Sequence, residues 1–267
     1  MSAGPTTSIH PSAIVEDGAQ IGAGCTIGPF CHVGAHVTLG AEVELISHVV
    51  VAGHTTIGAQ TRIWPFASIG HQPQDLKFSG EASTLEIGER NTIRESVTMN
   101  PGTAAGGMVT RVGNDNLFMV NVHVGHDCQV GDNVVIANNV SLAGHVHIGD
   151  NVVIGGHAGI HQWCRVGRGA MVGMLSAVSA DVIPYGTVMG DAAKLAGLNL
   201  VGLKRRGVEK EAIHGLRTAF KDIVGSGATF KERVRKAGDD QSDNALVQEV
   251  VEFVMGDSDR AFCQPDG

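Results

Sequence analysis

Residues 118–155 read FMVNVHVGHDCQVGDNVVIANNVSLAGHVHIGDNVVIG, and an apolar side chain returns at every sixth position: Phe118, Val124, Val130, Ile136, Leu142, Ile148 and Ile154. A helical period of 3.6 cannot carry that pattern on one face. Followed outward, the same frame runs from Ile9 to Ile69 without a break, resumes at Ile87, Ile93 and Met99, and continues from Val112 to Val178. All 26 frame positions are Ile, Val, Leu, Phe or Met, and Gly follows the frame residue in 14 of them. The position four after the frame is usually Ala, Val, Cys, Thr or Ser. A period this short predicts a mainly β protein, a β-helix in which short strands wind about an axis and each coil buries its inward residues against the next.

Composition agrees. Thirty-seven glycines against eleven aromatics suit a core of small and β-branched side chains with many tight turns. The formal charge of −8 supplies no positive field to draw the chain to phosphate backbones, which argues against a nucleic-acid role. The start, MSAGPTTSIHPSAIVEDG, lacks a basic segment followed by an apolar one, and no run of about 18 apolar residues occurs. The expectation is a soluble, unexported, cytoplasmic protein with no integral membrane segment.

Two stretches break the frame, residues 71–86 (HQPQDLKFSGEASTLE) and 101–111 (PGTAAGGMVTR), and both read as loops thrown out from the coil wall. After about Gly190 the pattern changes, and segments 208–224, 228–237 and 244–255 carry apolar residues at helical spacing. The predicted organisation is a β-helix over 1–190 and a small C-terminal helical domain over 191–267. Cys25, Cys31, Cys128 and Cys164 occupy the slot four after a frame residue and read as inward core residues rather than metal ligands or disulfide partners; Cys263 lies in a polar tail with no reading attached.

The chemistry is sought among thirteen histidines. His10, His32, His36, His48 and His54 read as surface or corner residues. If eighteen residues make one coil, Val124, Leu142 and Ile160 stack, with neighbouring coils about 4.8 Å apart. His126, Gly144 and Gln162 then form one column and His145 and Asp127 the next, so that His123, His126, His145 and His161 converge on one corner. An imidazole there suits a general base, with Asp127 to orient it. Zinc is the competing chemistry, because three histidines on a β-helix serve a metal in gamma-class carbonic anhydrases.

The stretches SHVVVAGHT, FASIGHQPQDLKFSGE, ERNTIRESVT, HVGHDCQVG, ANNVSLAGHV, IGGHAGIHQ and GLKRRG carry a closer likeness. Over residues 9–220 the chain resembles the UDP-N-acetylglucosamine acyltransferases of lipid A synthesis, a family of hexapeptide-repeat enzymes. That resemblance implies a left-handed parallel β-helix and homotrimers with sites between subunits. It also implies transfer of a 3-hydroxyacyl chain from acyl carrier protein to the sugar 3-hydroxyl of UDP-N-acetylglucosamine, without metal or bound cofactor. It places His126 on the general base, Asp127 on its neighbouring carboxylate and Gly144 on a backbone donor to the oxyanion. Gln74, Asp75, Lys77, His123, His145, His161 and Gln162 fall on substrate-contacting positions, and Arg205 and Arg206 beside the nucleotide diphosphate.

The likeness has gaps. Where the family often has Asn-x-Glu, this chain has Asn199, Leu200 and Val201, which keeps Asn199 as a substrate-contacting candidate and loses a polar nucleotide contact. The turn commonly written NHATPFG is DAAKLAG, Asp191 to Gly197. Met174 stands where long-chain members have glycine at the end of the acyl groove. It lies 48 residues beyond His126, about 13 Å along the axis, which predicts a ruler set for a ten-carbon donor. Arg165, Arg168, Lys204, Arg205 and Arg206 are expected to supply docking charge for an acidic carrier protein. Competing readings are the related N-acyltransferase, a coenzyme A-dependent acetyltransferase and a purely structural β-helix.

Overall fold

A computed structural model describes residues 6–256, 258 and 260–265. Two-residue strands recur once per hexad and stack into three parallel sheets that form the faces of a prism. The first face has eleven strands, from Ser8–Ile9 to Lys194–Leu198; the second has nine, from Ile14–Val15 to Ala177–Val178; the third has eight, from Gln20–Ile21 to Arg165–Val166. His123 pairs with Ser141 and Ser141 with Gly159, so the eighteen-residue coil is the true repeat. The frame side chains fill the prism: Ile27, Val33, Phe118, Val124, Leu142 and Val172 are at most 1% exposed. Cys25, Cys31, Cys128 and Cys164 point inward with them as free thiols.

Most turns between faces are made by one residue in the left-handed region. Asp115, Asn121, Asp127, Asn133, Asn139 and Asn151 all have φ between 56° and 62°, and short polar side chains tolerate that conformation best. The glycine after the frame answers to close stacking of coils: a Cβ at Gly28 would stand 1.8 Å from the Ile46 carbonyl oxygen.

The two interruptions lengthen coils without moving the register. Ser68 still pairs with Thr98 and Thr98 with His123. Both loops are shorter than the sequence suggests, because Thr84–Ile87 and Val109–Val112 are four-residue strands, paired with each other and, through Thr84–Ile87, with His54–Ile57. Leu85 and Thr110 are buried as second inward residues of these strands. That places Thr110 beneath the turn at Asp127.

Beyond 190 the first face continues through an antiparallel hairpin, Gly186–Met189 with Lys194–Leu198. Among the described residues four helices follow: α1 Leu200–Arg205, α2 Lys210–Ile223, α3 Phe230–Asp240 and α4 Ala245–Met255. The last three match the segments of helical spacing, and α1 is too short to show a period. Thr229 and Glu232 form a capping box on α3, and Asn244 caps α4.

The polar tail after α4 is not idle. It returns to the β-helix at Asp181, a residue with no exposed surface. Asp181 accepts from Arg165 Nε at 2.7 Å and from Ser258 Oγ at 2.9 Å, its N–H donates to the Ala261 carbonyl, and its carbonyl accepts from the Cys263 N–H. Cys263 is therefore buried, against the reading of its surroundings as an uninformative tail. Arg165 also lies over the Phe253 ring at 4.4 Å. Removing one partner of such a buried pair costs about 3 kcal/mol, so Arg165 serves to join tail to prism and is not a free docking charge.

Candidate active site

The turn joining second and third faces carries Asp127 at φ 61°. Its carboxylate is buried and gathers donors from three directions: the Thr103 N–H at 2.8 Å, the Thr103 hydroxyl at 2.7 Å and the His126 Nδ1–H at 2.8 Å. The Thr110 hydroxyl accepts from the Asp127 N–H at 2.7 Å. Residues 101–108 are thus folded over Asp127 rather than thrown out from it. A Cβ on Gly106 would meet the Asp127 carboxylate within 2.3 Å, so the short 3-10 turn Ala104–Gly106 can close there only with glycine. Glu81 ties the two loops together by accepting from the Ala104 N–H, which holds its carboxyl down at about 2.

With Nδ1–H given to Asp127, the His126 ring keeps its Nε2 lone pair for a proton. Its side chain is 17% exposed. One coil on, the place of a Cβ at Gly144 lies 2.6 Å from His126 Nε2, so any side chain there would displace the ring. Among the described residues the Gly144 N–H has no acceptor. An imidazole base, a carboxylate orienting it and a free backbone donor therefore share one corner.

His145 stands edge-on to His126 with ring centroids 5.0 Å apart and stacks on Trp163 at 3.7 Å. Burial keeps the His145 imidazole below its usual range, with Asp127 pulling the other way. His123 accepts or donates at Nδ1 with the Thr98 hydroxyl at 2.7 Å, and burial followed by the neighbouring His126 lowers it too. Burial thus disfavours the charged form of both nearby rings.

His126, Asp127 and His145 offer ligand atoms within 4.8 Å of one another, a spacing a divalent cation could use. The Asp127 oxygens are already taken by Thr103 and His126, and a cation would have to displace the bond that orients the ring. The donor set fits an acid–base pair better than a metal centre.

On the outer surface of the second face a groove of about 460 Å³ starts at His123 and runs up the coils past Ser141, Gly159 and Ala177, with His161 on one side. Its floor is made of small residues. Met174 lies on the same coil as Ala177 but at the turn joining first and second faces, 67% exposed. The axial offset from His126 therefore understates their separation within one chain, since they stand at different corners.

Other candidates scatter. Asp75 lies close enough to His145 to raise it and accepts from the Lys77 N–H at 3.0 Å, while Gln74 and Lys77 are exposed on the loop. Gln162 is exposed beside the groove. Arg206 reaches the turn joining third and first faces, near Gly169, Tyr185 and Arg168, and burial lowers its guanidinium. Arg205 is exposed on the last turn of α1. Asn199 caps α1 by accepting from the Gly202 N–H at 2.9 Å and donates to the Gly169 carbonyl at 3.0 Å, so its amide is engaged within the chain. Thr103, Thr110, Thr98, Trp163 and Arg260 were not found from the sequence; the first two lie on stretches read as loop, whereas Trp163 stands one eighteen-residue step beyond His145 and Thr98 pairs with His123, so the register itself was the signal for these two.

The helical region matches the family described as Udp N-acetylglucosamine O-acyltransferase, Domain 2, over residues 181–263, and residues 110–144 match Bacterial transferase hexapeptide (six repeats). An acyl-[acyl-carrier-protein]--UDP-N-acetylglucosamine O-acyltransferase of Methylobacterium radiotolerans is 60% identical over 97% of this chain and 95% of its own length. That of Rhizobium leguminosarum is 52% identical over 96% of this chain and 94% of its own. The crystal structure of the UDP-N-acetylglucosamine O-acyltransferase of Moraxella catarrhalis superposes with a TM-score of 0.93 at 42% identity, covering 96% of this chain and 99% of that one.

Proposed function

The chain belongs to the acyl-[acyl-carrier-protein]--UDP-N-acetylglucosamine O-acyltransferases, and we propose that it carries out the first step of lipid A biosynthesis in the cytoplasm, moving a ten-carbon 3-hydroxyacyl chain from acyl carrier protein to the 3-hydroxyl of UDP-N-acetylglucosamine with His126 as general base. The observation that carries the chemical part is the His126–Asp127 hydrogen bond beside an unpaired Gly144 N–H. Nε2 takes the proton of the sugar 3-hydroxyl as its oxygen attacks the thioester carbonyl. Negative charge moves to the carbonyl oxygen, where the Gly144 N–H receives it; one such donor lowers the barrier by about 3 kcal/mol. Collapse breaks the C–S bond, the imidazolium gives its proton to the departing thiolate, and the ester remains.

The groove over Ser141, Gly159 and Ala177 suits an acyl chain, and Met174 stands at the level of Ala177. Coils about 4.8 Å apart put that level about 13 Å above His126, the reach of about ten carbons. A methionine there fills the place of further methylenes, each contributing about 0.8 kcal/mol when buried. Replacing Met174 with Gly and assaying ten- and fourteen-carbon 3-hydroxyacyl carrier proteins tests the ruler. The preference should move toward fourteen carbons; an unchanged preference sinks it.

Homotrimeric assembly is part of the same reading. His126, Met174 and Arg206 sit at three different corners of one prism, so only clefts between chains can bring them to one substrate. Gln74, Asp75 and Lys77 on their loop, His123, His145, His161 and Gln162 at the corner, and Arg205 and Arg206 for the diphosphate would then face such a cleft.

A further inference from the structure

The C-terminal tail brings one side chain to the acyl groove. Arg260 donates through one terminal nitrogen to the Ser179 carbonyl at 3.0 Å, and through the other to the Gln162 carbonyl at 2.6 Å and to His161 Nδ1 at 3.0 Å. It is ninety-nine positions from His161 in the chain. Its place is set from both sides: Asp181 holds Ser258 and Ala261, and the Phe262 ring stacks on Phe230 of α3 at 5.2 Å.

A guanidinium has donors only, so Nδ1 of a ring bonded to it must accept. The His161 ring proton then resides on Nε2, the nitrogen with no partner among the described residues. Nδ1 also lies 3.1 Å from the Gln162 carbonyl oxygen. Two acceptors so close are held together by the donor they share. Without it, Nδ1 would take the proton and donate to that carbonyl, and Nε2 would turn from donor to acceptor.

We propose that Arg260 is a positioning residue for acyl transfer: the tail returns it to His161 so that the ring offers an N–H, and not a lone pair, to the groove it lines. The proposal rests on the groove being the acyl site. It concerns the donor side of the reaction, where a carbonyl or hydroxyl oxygen of the acyl chain would accept from that N–H.

The test follows the ring nitrogens of His161 by 15N NMR in protein labelled at histidine, assigned with His161→Gln. The native protein should show a single Nε2–H tautomer. Arg260→Ala should show the Nδ1–H form, with kcat/KM for acyl carrier protein down about tenfold and the melting temperature little changed. Arg260→Lys, which keeps a donor, should restore the tautomer and part of the rate. An unaltered tautomer in Arg260→Ala overturns the proposal, as does a rate loss that only follows a lower melting temperature and that lysine does not recover. His126→Ala in the same series separates the two readings: full activity there would overturn the general base and leave the tautomer result standing.

Discussion

At the scale of single residues, imidazoles lowered by burial, His147 as well as His123 and His145, contribute to the response to acid. His123 and His145 are both lowered by burial, so an unfolded chain takes up their protons before the folded one does. Stability is then lost as pH falls through about 6.5, the ordinary imidazole value. Melting temperatures measured from about pH 8 down to pH 5 should decline through that window, and His123→Gln should flatten part of the slope. A flat profile, or one that His123→Gln leaves untouched, contradicts the assignment. The gathering of His126, Asp127 and Gly144 was legible because it needs only an eighteen-residue register. Thr103 and Arg260 were not, since a register says nothing of where an inserted loop or a returning tail will land. Asn199, singled out by likeness, is occupied as a helix cap.

At the scale of elements, the hexad reads directly as strand and turn because every inward residue is packed against the coils on either side. The four-residue strands Thr84–Ile87 and Val109–Val112 escaped that reading; Leu85 and Thr110 hold the inward slot two before a frame residue, as Val122 and Val134 do, but Glu81 and Gly106 stand where a preceding frame residue would be, next to Gly- and Pro-rich segments. The second face offers a direct probe of the groove. A Cβ built on Gly159 meets nothing within 4 Å, and its backbone carries no left-handed strain. Gly159→Val should therefore fold with native stability while its methyl groups intrude on the groove floor. Transfer from ten-carbon donors should fall at least about tenfold, given about 0.8 kcal/mol for each methylene kept out of its place. Unimpaired transfer would mean that the acyl chain lies elsewhere.

For the whole molecule, the prism distributes its functional groups over three corners and leaves Phe30, Phe66, Leu76, Trp163, Met174 and Leu175 more than half exposed. The proposed site shared between copies would account for both facts by covering these groups. Light scattering on the purified protein should give three times the chain mass of 27.7 kDa; a stable monomer with full activity contradicts the shared site. No described helix is long and apolar enough to cross a membrane. Neither the corner arrangement nor the tail's return to Asp181 could be read from a linear period, because both depend on which face each hexad occupies. What the architecture accomplishes, on this account, is to stand one imidazole, oriented by a buried carboxylate, beside a backbone donor. The most direct measurement is the transfer rate of His126→Ala with 3-hydroxydecanoyl carrier protein and UDP-N-acetylglucosamine, with circular dichroism and melting temperature as controls of folding. A loss of at least about a hundredfold in a normally folded protein is the predicted result; transfer within a few-fold of the native rate would contradict it.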